Sequence, residues 1–209
     1  MRTKKVLFIL MLPVVIEVIA SCCDCLEIIY KNYSNQSIVI NNLDNSGAEP
    51  IITSSNTIPK NAYGIKVGLH REIVACNRKN IQTFIQSAYA TSCECPPPNQ
   101  FLPKDSVTSF KILTLYDFDL NHSADSDISD YFKIYNQFSF ITITDYLKSD
   151  KDYYSNSNLI LYNENDLEIE LDLLLMTAPS INITHKFKIQ IVLSDGRILE
   201  QETSEIELI

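Results

Sequence analysis

The six cysteines are the side chains of this 209-residue chain with the most distinctive reactivity and spacing. In chain order they are Cys22, Cys23, Cys25, Cys76, Cys93 and Cys95. Two C-x-C groups are therefore separated by a long stretch that holds a single further cysteine. Thiols grouped in this way form disulfides in oxidising compartments or bind metals as thiolates. Structural zinc sites use C-x₂₋₄-C spacing, so the C-x-C groups favour disulfides over zinc.

The first 21 residues have the layout of an export signal. Arg2, Lys4 and Lys5 precede an apolar run over residues 6–19, which Glu17 interrupts. A retained transmembrane helix would need about 20 apolar residues, and this run is shorter and carries a charge. Positive charge, a short apolar run and then small residues are typical of a signal peptide that is removed.

The end of this signal, Ile19-Ala20-Ser21-Cys22, resembles the lipobox of bacterial lipoproteins. In that family the cysteine thiol receives a diacylglyceryl group, cleavage falls before it, and the new amine is often acylated, for example with palmitate. The resemblance implies that residues 1–21 are lost and that residues 22–26 form a lipidated N-terminus. Two or three acyl chains anchor a protein stably. We therefore expect an outer-membrane lipoprotein of the cell envelope that faces the periplasm or the exterior.

Five thiols remain once Cys22 is assigned to lipid: Cys23, Cys25, Cys76, Cys93 and Cys95. An odd number allows two disulfides and one spare thiol, and the sequence does not fix the connectivity. Cysteines separated by one residue rarely bond each other, so we expect one bridge from the N-terminal pair to the later pair. A bridge that uses Cys76 stays open.

A polar loop over residues 117–130 is the best metal candidate. Its D-x-D-x-N opening resembles an EF-hand loop, in which alternate oxygens point at one hard cation. The match then fails, because position six is His122 and position twelve is Ile128. A looser calcium site would use Asp117, Asp119, Asn121 and Asp125. The alternative is a solvated acidic loop that leads into a helix cap at Asp127.

Charge and missing motifs exclude several other functions. Removing residues 1–21 takes away three basic residues and one acidic residue, so the formal charge changes from −9 to −11. This balance argues against nucleic acid or anionic headgroups as partners, since both favour Lys/Arg patches. The sequence has no G-x-S-x-G elbow, no phosphate-binding glycine loop and no H-E-x-x-H motif. No catalytic residue or cofactor other than the candidate calcium is predicted.

Short β-branched segments bounded by turn residues predict a mainly β fold. We predict strands over 27–33, 37–41, 63–75, 107–118, 138–144, 159–162, 167–175, 185–193 and 197–208. Residues 81–90 fit either a strand or a short helix, and we favour the strand. Asn35-Gln36 is a predicted turn, and Asp195-Gly196 predicts a tight hairpin. A short helix is predicted over 129–136 and a helical turn over 145–152. The pattern indicates one antiparallel β-sandwich of immunoglobulin-like type over residues 27–209, with a split near the prolines of 96–103 as the alternative.

Several stretches together resemble a known family. They are residues 21–25 (SCCDC), 87–95 (SAYATSCEC), 109–119 (SFKILTLYDFD), 127–132 (DISDYF) and the hairpin at Ser194-Asp195-Gly196. They are similar to a family of Bacteroidota lipoproteins that is described only as a domain of unknown function. The resemblance implies export and a cysteine-stapled β-rich domain, and it implies no activity and no catalytic residues.

Three functions are therefore open. The first is a non-catalytic, membrane-tethered module that binds a protein or a glycan or has a structural role, for which Tyr153-Tyr154 offers an aromatic platform. The second is an envelope hydrolase that acts on glycan or peptide with carboxylates in a cleft. The third is a calcium-stabilised adhesion module.

Overall fold

A computed structural model describes residues 29–77, 99–136, 139–148 and 168–209 of the chain. These ranges contain strands, one 3₁₀ turn and one short helix, here called α1. The elements are β1 (Ile29–Asp44), β2 (Ile51–Ile52), β3 (Thr57–Ile58), β4 (Tyr63–Asn77), β5 (Asn99–Pro103), β6 (Val107–Thr114), the 3₁₀ turn (Ser129–Tyr131), β7 (Phe132–Asn136), β8 (Ser139–Thr142), α1 (Ile143–Lys148), β9 (Glu168–Leu175), β10 (Thr184–His185), β11 (Phe187–Leu193), β12 (Ile198–Glu202) and β13 (Ile206–Leu208).

The largest sheet has the strand order β2-β1-β4-β9-β7-β8, and all neighbours in this series are antiparallel. β5 pairs with β1 on the edge that faces away from β4, near the N-terminal end of β1, and runs parallel to it. Two three-stranded sheets, β12-β11-β6 and β10-β13-β3, complete the sheets of the described ranges. The pairing of β13 with β3 is also parallel. The fold is therefore mainly antiparallel, with two parallel exceptions.

Aromatic rings join the large sheet to the sheet of β11. The ring of Phe187, on β11, stacks on Tyr63 of β4 at 5.2 Å and meets Phe132 of β7 edge-on at 5.9 Å between centroids. Aliphatic side chains from both sheets fill the space around these rings, and residues on both sides of 96–103 contribute to this one core. Two sheets packed face to face with a shared apolar interior form a β-sandwich. The predicted fold class is confirmed.

The turn and the first arm of the closing hairpin have the predicted form, but the strand predicted over 197–208 divides into β12, which ends at Glu202, and β13, which lies in another sheet. Gly196 has a φ of +87°, the left-handed region that a tight turn requires and that glycine adopts at no steric cost. The Leu193 amide donates to the Arg197 carbonyl at 2.9 Å and closes the turn. Alternate residues of β11 from Phe187 to Leu193 are buried, as the period-two pattern predicted.

The predicted turn at Asn35-Gln36 is wrong. β1 runs straight through this point as a 16-residue strand, and the irregularity is a shift of register against β4 between Asn35 and Ser37. Such a bulge inserts an extra residue without reversing the chain. The Asn35 side chain is fully buried and hydrogen-bonded. Its polar groups therefore find their partners inside the fold, whereas a turn would have placed them at the surface.

The predicted helix over 129–136 is also wrong. Only Ser129–Tyr131 form a 3₁₀ turn, and the chain then enters β7. Phe132 and Ile134 are buried at alternate positions, which is the period of a strand and places both in the core. Tyr135 points to the opposite face, where its ring lies 5.5 Å from that of Phe140 on β8.

The predicted helical turn over 145–152 occurs as α1, but it begins two residues earlier. The Thr142 hydroxyl accepts a hydrogen bond from the Asp145 amide at 3.0 Å and donates to the Asp145 carboxylate at 2.7 Å. This reciprocal cap fixes where the helix starts. The predicted strands over 81–90 and 159–162 lie outside the described residues. No helix of the described ranges is long and apolar enough to cross a membrane.

One buried histidine makes the stability of this sandwich depend on pH. His185 is 0% exposed, and its ring lies between Phe118 and Phe187 at 5.6 and 6.0 Å between centroids. Hydrogen bonds with the backbone of Asn182 and Ile181 act to raise the pKa of this ring, but its removal from solvent has the larger effect. Burial therefore lowers the pKa of His185 below its usual value of 6.5.

We expect stability to fall as the pH is lowered from 7.5 to 5.5. The unfolded chain takes up a proton at a pH near 6.5, where the folded His185 resists it, so acid favours unfolding until the lower folded pKa is reached. His185→Phe should flatten this dependence in urea denaturation at the two pH values. His70→Phe, at an exposed position, is the control. An unchanged pH dependence in His185→Phe would contradict the assignment.

Candidate functional site

The loop predicted to bind calcium is held by its own hydrogen bonds. One carboxylate oxygen of Asp119 accepts from the amides of Asn121 and His122 at 2.8 and 2.9 Å and lies 2.8 Å from His122 Nδ1. The other accepts from the Tyr131 hydroxyl at 3.1 Å. Partial desolvation acts to raise the pKa of Asp119, but these hydrogen bonds outweigh it and the pKa is lowered.

The other predicted calcium ligands are engaged separately. The Asp117 carboxylate accepts from the Ala124 amide at 3.0 Å. Asp125 has a φ of +66°, and its amide donates to the Thr114 carbonyl at 2.7 Å. In the described ranges, no three His, Cys, Asp or Glu side chains are close enough together to hold a metal. Calcium binding at this loop stays a prediction that calorimetry would test.

Most of the predicted cysteine chemistry lies outside the described residues, as do the two tyrosines of the aromatic platform. The cysteines concerned are Cys22, Cys23, Cys25, Cys93 and Cys95. Cys76 lies in β4, opposite Lys31 of β1. The disulfides stay a prediction.

A groove on the outer face of the large sheet is one of several concave sites on the described surface, and sequence reasoning missed it. It has a volume of about 250 Å³ and crosses four neighbouring strands, β2, β1, β4 and β9. Its lining residues are Ser37, Val39, Asn41, Ile52, Lys66, Gly68, Leu69, His70, Ile169 and Glu170. We call it the outer-face groove.

Gly68 keeps the middle of this groove open. It pairs with Val39 on one side and Glu170 on the other, in the centre of the sheet. A Cβ at Gly68 would meet its nearest atom, the Val39 carbonyl oxygen, at 3.6 Å, which is ordinary contact. Packing therefore does not require glycine here. A glycine inside a strand costs stability and often marks a point where a ligand approaches the backbone.

Gly64, four residues earlier on the same strand, is different. A Cβ at Gly64 would lie 2.7 Å from Leu174 Cδ2 and 2.8 Å from the Leu173 carbonyl oxygen. Those distances are too short for real atoms, so close packing explains the glycine at this position. The contrast shows that the gap over Gly68 does not follow from crowding in β4.

The groove has an apolar side and a charged side. Val39 and Ile52, which both line the groove, are each 55% exposed. Across Gly68, the Lys66 ammonium lies 3.1 Å from Glu170 and 3.0 Å from Asp172. Desolvation acts to lower the pKa of Lys66, but both carboxylates raise it, so the ammonium stays charged. One cation against two carboxylates leaves this side of the groove slightly acidic.

Sequence reasoning missed the groove because its parts come from four strands. Taken alone, Val39 looks like an ordinary residue inside a strand, and Gly68 looks like a residue that weakens a strand. Only the register that pairs them shows that the missing side chain and the exposed aliphatic side chains share one face. The usable signal was the rarity of glycine, since the chain has only four, and two of them lie in one predicted strand.

Replacing each strand glycine by alanine should have opposite effects. Gly68→Ala fits the available space and should raise the free energy of unfolding by about 0.5–1 kcal/mol. Gly64→Ala forces the neighbouring backbone and Leu174 apart and should lower it by about 1–3 kcal/mol. Urea denaturation of both variants measures the difference. A loss of stability in Gly68→Ala would show that packing does require glycine there.

Comparison with known proteins identifies one family. A family model matches residues 35–204, a range that includes Val39, Ile52 and Gly68 of the groove. No curated protein and no solved structure matches the chain. The matched range covers most of the sequence, and the chain therefore belongs to the family described as Domain of unknown function (DUF5034).

Proposed function

We propose that this chain is a membrane-anchored lipoprotein of the cell envelope whose β-sandwich is a non-catalytic module that binds neutral glycans in the outer-face groove. The signal sequence that ends in Ile19-Ala20-Ser21-Cys22 supports the anchor. The gap over Gly68 is the observation that carries the binding function. The lipoprotein character implied by the family resemblance is part of this proposal.

The chemistry of the groove suits a sugar. Val39 and Ile52 offer an apolar surface to the C–H face of a pyranose ring, and Gly68 lets the ring approach the sheet. Asn41 and Glu170 line the same groove and can hydrogen-bond to hydroxyl groups. Pockets for drug-sized ligands have volumes of about 300–1,000 Å³. A groove of about 250 Å³ is therefore suited to one or two sugar rings.

Charge determines which glycans are favoured. The carboxylates of Glu170 and Asp172 already neutralise Lys66, so this cation is not available to an acidic sugar. The mature chain also has a formal charge of −11 after loss of residues 1–21, which repels polyanions. Uncharged oligosaccharides avoid both penalties. A protein ligand and a hydrolytic activity remain as outcomes that the experiments below detect.

Lipid attachment should depend on Cys22 alone. The full-length chain, made in a bacterium that processes lipoproteins and fed an alkyne fatty acid, should carry the label and begin at Cys22. Cys22→Ala should lose the label completely, whereas Cys23→Ala should keep it, because only the lipobox cysteine is acylated. Intact mass and click labelling measure this. Label that persists in Cys22→Ala, or a wild-type chain without label, would overturn the anchor.

Glycan binding should depend on the open space at Gly68. The detergent-solubilised protein should bind at least one neutral oligosaccharide on a glycan array, and Gly68→Leu should weaken that binding at least tenfold by filling the groove. Gly47→Leu is the matched control, since Gly47 lies in an exposed loop with open space around it. Thermal melting checks that both variants are folded.

Three results would count against the binding proposal. The first is a wild-type protein that retains no neutral glycan, and the second is a Gly68→Leu variant that binds as well as the wild type does. Cleavage products in the glycan incubation would show instead that the module is an enzyme, which contradicts its non-catalytic assignment.

A further inference from the structure

Side chains of the large sheet surround the gap over Gly68. Across the strands, Gly68 pairs with Val39 of β1 and with Glu170 of β9. Along β4, its neighbours on the same face are Lys66 and His70, because residues two positions apart in a strand share a face. All four of these residues line the outer-face groove. The gap is therefore a depression, one side chain wide, with an apolar wall at Val39 and polar walls at the other three residues.

The depression is wide enough for one sugar ring. Neighbouring strands lie about 4.7–4.9 Å apart, so the backbones of β1 and β9 are separated by about 9.5 Å across Gly68. Lys66 and His70 are four residues apart, which corresponds to about 13 Å along an extended strand. A pyranose has six ring atoms, as the ring of phenylalanine has. It can lie between these walls because the central position carries no side chain.

Two carboxylates meet one ammonium at the polar wall. The Lys66 ammonium lies 3.0 Å from Asp172, its direct partner across the strands, and 3.1 Å from Glu170. The side chains of Lys66 and Asp172 are 19% and 21% exposed, whereas that of Glu170 is 68% exposed. One carboxylate is enough to neutralise the ammonium, and Asp172 lies directly opposite. Glu170 therefore presents its carboxylate to solvent at the edge of the groove.

Lys66 and Glu170 have complementary hydrogen-bonding capacity. An ammonium has three N–H donors and no acceptor, and an ionised carboxylate has about four acceptor sites and no donor. Within the described residues, the two carboxylates account for two donors of Lys66. One donor and several acceptor sites therefore remain for a ligand, on groups that are already joined by a hydrogen bond.

We propose that the Lys66–Glu170 pair recognises two adjacent free hydroxyl groups on a neutral sugar ring that lies over Gly68. One hydroxyl accepts a hydrogen bond from the Lys66 ammonium, and its neighbour donates one to the Glu170 carboxylate. Adjacent ring hydroxyls in the gauche arrangement are about a hydrogen-bond length apart, which matches the spacing of the pair. This inference rests on the proposed glycan-binding function and states which sugars it favours.

Charge and strength both favour a hydroxylated ligand. The ammonium repels a cationic ligand, and the two carboxylates repel an anionic one. Hydrogen bonds in which one partner is charged are roughly twice as strong as those between neutral groups. An exposed ion pair adds little to the stability of a fold, and Asp172 already lies opposite Lys66. Sheet stability therefore gives no reason for the second carboxylate, whereas recognition of hydroxyl groups does.

A panel of neutral hexasaccharides tests this specificity. Hexasaccharides of glucose, mannose and galactose are used as methyl glycosides in two groups. The first group is linked so that every ring keeps adjacent free hydroxyls, as in cellohexaose. The second group is linked through the middle ring hydroxyl, as in laminarihexaose, and periodate followed by borohydride opens its terminal ring. The second group then keeps intact inner rings and no charge, but it has no adjacent pair of hydroxyls.

Titration calorimetry with the full-length protein in detergent measures the difference. The wild type should bind at least one hexasaccharide of the first group. It should bind the matching hexasaccharide of the second group at least about tenfold more weakly, because hydrogen bonds to charged groups are lost.

Variants show whether the pair itself carries the specificity. Lys66→Met and Glu170→Met keep the length of the side chain and remove its charge. Each should bind the first group no more tightly than the wild type binds the second. Lys186→Met and Glu202→Met are the matched controls, since they break an ion pair of 2.6 Å that lies outside the groove. They should keep the affinity of the wild type, and thermal melting checks that all four variants are folded.

The outcomes separate this inference from the proposed function. If no hexasaccharide of either group binds, glycan binding is overturned and this inference fails with it. Equal affinity for the two groups would overturn the inference alone, as would wild-type affinity in Lys66→Met and Glu170→Met. A proportional loss of affinity for both groups in these variants would also overturn it, because it would show an effect on the groove that does not depend on adjacent hydroxyls.

Discussion

The buried carboxylate of Asp105 holds three parts of this fold together. It is 2% exposed and accepts hydrogen bonds from the Asn35 amide and side chain at 2.9 Å each, from the Ser34 hydroxyl, and from Arg197 at 2.7 Å. These donors come from the bulge of β1 and from the hairpin of β11 and β12, while Asp105 itself follows β5. A charge taken out of water must be fully hydrogen-bonded, so the three segments fit together in only one way.

The bulge that the hydrogen bonds of Asp105 stabilise also determines which side chains of β1 line the outer-face groove. Tyr33 is buried before the bulge at an odd position, and Ile38 and Ile40 are buried after it at even positions. Side chains alternate between the two faces of a strand, so the extra residue reverses which parity faces the core. Val39 faces outward, next to Gly68, for that reason. The polar contacts at Asn35 therefore specify a surface several residues away.

Local chemistry made part of this structure predictable. Asp195-Gly196 fixed a hairpin because glycine accepts the left-handed turn, and the alternation from Phe187 to Leu193 identified a half-buried strand. The bulge at Asn35 escaped prediction because Asn-Gln resembles a surface turn until Asp105, 70 positions later, supplies its partner. The groove escaped for the same reason, since pairing between distant strands creates it. The confirmed features depend on neighbours in sequence, and the missed ones depend on neighbours in space.

β1 also separates the outer-face groove from the residues that precede the strand. From Ile29 to Val39 the strand advances about 30 Å at about 3.3 Å per residue. Charges on lipid headgroups are screened within about 8 Å in physiological salt. If the proposed anchor at Cys22 is present and β1 stands upright on the bilayer, the acidic side of the groove lies beyond the field of the headgroups. Polymers that lie along the membrane would then meet the groove from the side, at a distance that the strand length determines.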